Sequence, residues 1–394
     1  MTGIRMSFLY TLESNFGEGK DESHVWIAPP PGARFRCTMS RQATRVQATG
    51  TKHWDTYAYG TFQGSWDMTF MLDYNYLEPL YFAFEASDAN GTEILRNGVG
   101  TGVFTYSFNK DDAKRVPSFC VRLLQLNRMA GGPEGQDQIV ELKGCVCKSI
   151  TMARSAGSSQ FQVTMSGFYV DEEMKKGNLG STDYQPYEGN LTEYSCLYIG
   201  SGSATTLDQC TYVANTESMT IAVDNSADAI YNVCSPFAQQ YFEGITNYTF
   251  SAVTYRNNPE NWEQRQYSGG YSNKDSNNQD ILKPLAKGLK PMPLAWILTY
   301  DKEIDATNTT PIAAYKASER SLGVKITKCV LRSLERPNGD GSKLVDTISS
   351  ADCQLIGLDF KTKVGNFSFD APEEGHDPDN ANAVMDVSDF IVGE

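Results

Sequence analysis

Residues Thr61–Phe70 read TFQGSWDMTF, and Tyr241–Phe250 read YFEGITNYTF. Phe62, Gly64, Thr69 and Phe70 match Phe242, Gly244, Thr249 and Phe250 at a constant offset of 180 (242 − 62 = 180). Asp67 stands against Asn247 and Met68 against Tyr248, so polar shape or bulk is kept. Working outward, Glu78-Pro79 answers Asn258-Pro259 at the same offset. Cys145–Ile150, CVCKSI, reads against Cys329–Leu334, CVLRSL, at offset 184 (329 − 145 = 184), and Met165–Phe168 against Leu355–Leu358 at 190 (355 − 165 = 190). Offsets that only grow along the chain are what loop insertions produce. The expectation is two copies of one β domain, because a period this long means duplicated domains and not a solenoid.

The 394 residues accommodate two such domains, and 40% hydrophobic with 11% aromatic content supplies a core for each. The expected division is an N-terminal arm over 1–36, a first β domain over 37–170, a linker over 171–195, a second β domain over 196–369 and a C-terminal arm over 370–394. Each domain reads as mainly β with one short helix, a sandwich or barrel. Tyr57–Tyr74 is the best strand, rich in aromatic and β-branched residues with Gly60 and Gly64 as close-approach points. Residues 75–86 switch to helical spacing at Leu77, Leu80, Tyr81 and Phe84, with Pro79 suited to a first turn. Strands return at 103–109, 119–126, 139–152 and 161–170, then at 219–223, 241–255, 294–300, 323–334 and 354–363. Residues 40–56 read as a loop or hairpin tip, and 264–279 as a polar loop that leaves the second helix less secure. The tail from Asp370 begins acidic and ends apolar at Phe390-Ile391-Val392, a shape suited to docking.

The net charge of −14 excludes a nucleic-acid clamp, which needs a basic face, but suits a surface that nucleic acid passes without sticking. Nine cysteines lack zinc spacing and read as reduced core thiols, with Cys145 and Cys147 on one strand face. The N-terminus reads as neither signal peptide nor membrane span, so synthesis in a reducing host cytoplasm and no membrane insertion are expected. Chemistry is sparse. His24, His53 and His376 lie in separate contexts, and Gly98–Gly102 lacks the Lys-Ser/Thr of a phosphate loop. Asp370, Asp377 and Asp379 lack calcium-loop spacing, and Glu172-Glu173 reads as a solvated pair. No catalytic residue, metal ligand or cofactor site is expected; the chain reads as a non-enzyme. Sheet edges left open by such domains invite pairing between subunits, and a heterologous interface closes into rings.

The opening Leu12-Glu13-Ser14-Asn15-Phe16-Gly17 resembles the start of bacteriophage tail tube proteins. So does the order that follows: a glycine-punctuated aromatic hairpin at Tyr57–Tyr74, a short helix, and a final hairpin over Ile139–Val170. The resemblance implies a sheet-lined channel for DNA built of stacked rings, and a virion location in the viral tail. A double-domain chain is similar to the minority in which three chains supply six domains. It also implies self-association, contact with terminator, tape-measure and distal tail proteins, and DNA passing without specific binding. Asp67 and Glu141 are the acids taken as candidates for the lumen wall. Two other readings stand beside it: a terminator or adaptor that forms a single ring, and a tandem β module that grips a glycan or receptor through Trp54, Trp66 or Trp262.

Overall fold

Polar and apolar residues alternate along most long segments of the chain, and a strand sends neighbours to opposite faces, so alternation writes a sheet with one wet and one dry side. Gln162–Tyr169 shows it plainly, with Gln162 and Thr164 exposed and Val163 and Met165 buried. The computed structural model describes residues 6–20, 24, 26–30, 32–46, 56–73, 78–84, 95–99, 103–109, 115–125, 138–155, 161–176, 194–199, 210–213, 216–255, 272–274, 276–277, 280–282, 292–299, 320–335 and 345–362.

The first strands are β1 (Met6–Leu12), β2 (Arg34–Val46) and β3 (Thr56–Met71); helix α1 (Glu78–Phe84) follows, then β4 (Leu95–Val99), β5 (Val103–Asn109), β6 (Phe119–Gln125), β7 (Gln138–Ser155), β8 (Gln162–Tyr169) and β9 (Asp171–Lys176). The chain continues with β10 (Tyr194–Ile199), β11 (Thr211–Val213), β12 (Thr216–Asp224), β13 (Asp228–Ile230), β14 (Gln240–Phe242) and β15 (Asn247–Tyr255). It closes with β16 (Ser272–Lys274), β17 (Asp280–Leu282), β18 (Met292–Thr299), β19 (Ser321–Glu335) and β20 (Val345–Thr362). The protein is mainly antiparallel β, as expected. The helix is present with Pro79 in its first turn, and among the described residues it has no counterpart in the second half. The supposed N-terminal arm carries β1, whose Phe8, Leu9, Tyr10 and Leu12 are buried against β6. The linker contributes β9, which pairs with β7. The acidic tail from Asp370, His53, His376, Trp54 and Trp262 lie outside the described residues.

One pairing order occurs twice. The first run goes β1-β6-β7-β8-β3-β2, and the second goes β10-β18-β19-β20-β15-β12. The irregularities repeat as well. β6 meets β7 at Phe119–Cys145, slips, and resumes at Val121–Leu142; β18 meets β19 at Met292–Cys329, slips, and resumes at Leu294–Ile326. The two long strands correspond at 184 (329 − 145 = 184; 326 − 142 = 184). Their hairpins with β8 and β20 slip again between Cys147 and Ser149, and between Leu331 and Ser333, also 184 apart (331 − 147 = 184). Bulges are costly local departures from a ladder, so two in matching positions are a stronger signal than similar letters.

Sheet pairing then assigns counterparts that differ from the lettered match. Ser349 pairs with Ser333 as Ser166 pairs with Ser149, and Ser251 pairs with Ser349 as Asp67 pairs with Ser166. Ser251 is therefore the counterpart of Asp67 (251 − 67 = 184), and Phe250 that of Trp66, four residues away from the Phe70–Phe250 match. Met165 corresponds likewise to Ile348 and not Leu355. The slip of four on β15 is even and keeps the inward–outward alternation, so residue types there do not distinguish the two alignments, whereas on β20 the slip is seven (355 − 348 = 7) across a stretch with register shifts. Gly357 falls on the part of β20 that pairs with β5.

Both runs share one sheet, joined where Ser149–Ser155 of β7 pairs antiparallel with Ser218–Asp224 of β12. Beneath it lies one apolar cluster reaching from Phe8, Trp66, Phe82 and Phe119 to Leu197, Trp296 and Val324. The Phe161 and Trp296 rings, one from each run, sit 5.1 Å apart.

Candidate functional site: a polar sheet face that crosses both runs

Reading across the strands gives rows of one character. Arg36, Asp67, Ser166, Ser149, Asp224 and Asn247 form a row through β2, β3, β8, β7, β12 and β15. The next row on that face is Arg34, Thr69, Thr164, Thr151, Ala222 and Thr249. Between them on the opposite face run Phe35, Met68, Met165, Ile150, Val223 and Tyr248, of which Met68, Met165, Ile150 and Val223 are buried. Short hydroxyl side chains suit such a face because β-branched and serine neighbours pair across strands; Ser149 and Ser166 hydroxyls lie 2.8 Å apart. The surface is thus hydroxylated and lightly acidic at Asp67 and Asp224, with the arginines of these rows, Arg34 and Arg36, on β2.

The rows also measure how the runs are stepped. Four strand steps lead from Thr69 on β3 to Thr249 on β15, while the counterpart of Thr69 is Val253 (69 + 184 = 253; 253 − 249 = 4). One run is therefore displaced from the next by four residues over four strands. A rise of about 3.3 Å per residue against a strand spacing of about 4.8 Å gives a tilt of about 35°, within the range of closed barrels.

A clasp covers the joint between the runs. Asn225, wholly buried, donates from Nδ2 to the carbonyls of Ala83 (3.1 Å) and Cys147 (3.2 Å), and its N–H donates to Lys148 O at 2.8 Å. Beyond Ser226, whose φ of 48° turns the chain, residues 227–246 leave the sheet and cross the first run. There Phe62 N–H donates to Pro236 O (2.8 Å), Tyr231 OH to Phe62 O (2.8 Å), Tyr241 OH to Val116 O (2.6 Å) and Val116 N–H to the Glu243 carboxylate (3.0 Å). This departure explains why the repeated hairpin is not one hairpin twice. Phe62, Gly64, Thr69 and Phe70 all stand on β3, whereas Phe242 is on β14, Gly244 lies in the clasp, and only Thr249 and Phe250 stand on β15.

The two candidate acids part company. Asp67 is exposed on the polar face. Glu141 lies on the other half of β7, bound by Arg122 through Nε at 2.8 Å and again through Nη2, and by Lys175 Nζ at 2.9 Å. Burial pushes its carboxyl up, but hydrogen bonds from Lys175 and Arg122 and their charges outweigh that and hold it below its ordinary value. A second buried acid had drawn no chemical role in the sequence. Glu13 accepts from Gly144 N–H (2.8 Å), Cys120 Sγ (3.2 Å) and Gly17 N–H (3.1 Å); burial raises its pKa, and those bonds oppose the rise. It ties the end of β1 to β6 and β7, so its place in the opening motif has a packing reason. Asp224 and the hydroxyl rows were also missed: alternation marks them as outward, but which strands stand side by side is not written locally.

Trp66 is 3% exposed and donates through Nε1 to Phe168 O, so it is packing and not a sugar platform. Cys120, Cys145 and Cys147 are buried and outside any disulfide, and burial raises the Cys120 and Cys145 thiols. Among the described residues no three His, Cys, Asp or Glu side chains gather as a metal site, and no helix is long and apolar enough to cross a membrane. No protein-family model and no curated protein matches the chain.

Proposed function

We propose that this chain is a structural, non-enzymatic subunit of a viral tail tube, in which a duplicated β domain fills two adjacent places around a bore. Three chains would then make a ring of pseudo-sixfold symmetry, and stacked rings would conduct DNA. The observation that carries this reading is the four-strand, four-residue step between two runs of identical pairing order. A step of that kind, repeated, curls a sheet into a tilted barrel and removes its edges. Twenty-four strands at that tilt enclose a backbone cylinder roughly 45 Å across, wide enough for a duplex inside its side chains.

The polar face suits a wall that must not hold its cargo. Hydroxyls and the carboxylates of Asp67 and Asp224 outnumber the cations of the rows, which are Arg34 and Arg36 on β2 beside Thr69 and Asp67, and a net charge of −14 adds repulsion. Self-association, docking of terminator, tape-measure and distal tail proteins, and location in the virion belong to this proposal. Electron microscopy of the purified protein tests it. Tubes with a continuous bore support the reading, single rings that never stack shift it to a terminator, and dispersed single chains at all concentrations overturn it.

A further inference from the structure

The joint inside the chain specifies a second joint between chains. Its two sides are β7 beyond Ser149 and the free flank of β12. Their counterparts at 184 are β19 beyond Ser333 and the free flank of β2. Among the described residues, no strand pairs with β2 on the side away from β3. None pairs with β19 beyond Cys329 on the side away from β20. We propose that β2 of one chain adds antiparallel to the end of β19 of a second copy, with Ser40 opposite Ser333, Met39 opposite Leu334 and Thr38 opposite Glu335. This register transfers the internal pairs Asp224–Ser149, Val223–Ile150 and Ala222–Thr151 by 184 (224 − 40 = 184; 333 − 149 = 184).

Exposure supplies an independent argument for a second copy as the occupant. Val223 at the internal joint is 1% exposed, while its counterpart Met39 is 59% exposed (223 − 39 = 184). Cys37 and Phe35 are only partly buried where their counterparts Ile221 and Met219 are buried. These apolar positions on β2 lack the cover that β7 gives β12, and the strand that would supply it, β19, is carried by the same chain's other end. An interface whose two sides differ and sit on one molecule is heterologous, so it continues from chain to chain until a ring closes.

The inference rests on the ring reading and is tested separately from it. In Met39→Lys, the ammonium would be enclosed in the joint at the register position opposite 334, so ring formation should weaken at least about a hundredfold by native mass spectrometry and sedimentation. Met39 is exposed in the single chain, so the variant should melt with the dissociated wild type. Met39→Lys combined with Leu334→Glu should recover rings. In wild type, the β2 amides that face away from β3, Met39 among them, should exchange faster in dissociated chains than in rings, which requires no variant. Normal rings from Met39→Lys, or no gain of protection at those β2 amides, overturn the joint while leaving the tube reading standing. A wild type that forms no rings overturns both.

Discussion

The two runs keep the same strand order and share two bulges, while β19, β20 and β15 carry further register shifts and the connections between the described strands differ. After β3 the first run inserts α1, whose Leu80, Tyr81, Phe82, Ala83 and Phe84 are all buried, followed by the β4–β5 hairpin. After β15 the second run has instead the small β16–β17 hairpin among its described residues. Between β12 and β15 the second run inserts the clasp, where β2 and β3 continue as one long hairpin from Arg34–Thr69 to Val46–Thr56. Order in the sheet is therefore set by the ladders and their bulges, while connections are free to change.

The sharpest way to break that comparison is at its glycines. A Cβ on Gly64 would lie 2.5 Å from the ring of buried Tyr169, whereas one on Gly244 would meet Ser226 Cβ at 3.0 Å in an exposed turn. Gly64→Ala should cost about 3 kcal/mol by denaturant unfolding and Gly244→Ala under about 1 kcal/mol. Equal costs would mean the lettered match, and not the ladder, describes the environment. Next comes Asn225, which Arg41 replaces in the first run (225 − 41 = 184). Asn225→Ala strands two buried carbonyls and should cost about 2 kcal/mol, against under about 0.5 kcal/mol for Arg41→Ala at the exposed edge.

The smallest expected effect separates the two buried acids by pH. Glu13 has its folded-state pKa raised by burial, so its contribution is full below the unfolded carboxylate range and lost as pH rises through the folded value. Glu141 is lowered on balance, so its contribution is present above that range and lost as pH falls through the folded value. Melting curves should show Glu13→Gln gaining on wild type as pH rises above about 4.3, and Glu141→Gln gaining on wild type as pH falls below about 4.3. Parallel slopes would remove the distinction between an acid held by N–H groups and one held by cations.

Much of the β content was legible because alternation is local: the β3, β7, β8, β12 and β19 segments carry it, and helical spacing at Leu80, Tyr81 and Phe84 marked α1. The candidate surface was only half legible. Asp67 reads as an outward acid, but Glu141 reads the same way and instead meets Arg122 and Lys175, brought from two other strands. The clasp was read as one strand over 241–255, since nothing near Glu243 announces that it leaves the sheet to meet Val116.

By itself the sequence determined which faces of the strands are wet or dry, because that is a property of neighbours along the chain, and it carried a lettered resemblance between distant segments. Only the tertiary structure decided the register of that resemblance, because a slip of four residues preserves every inward and outward position. Long-range ladders and their bulges break this degeneracy, and they alone set which residues face each other across the joint.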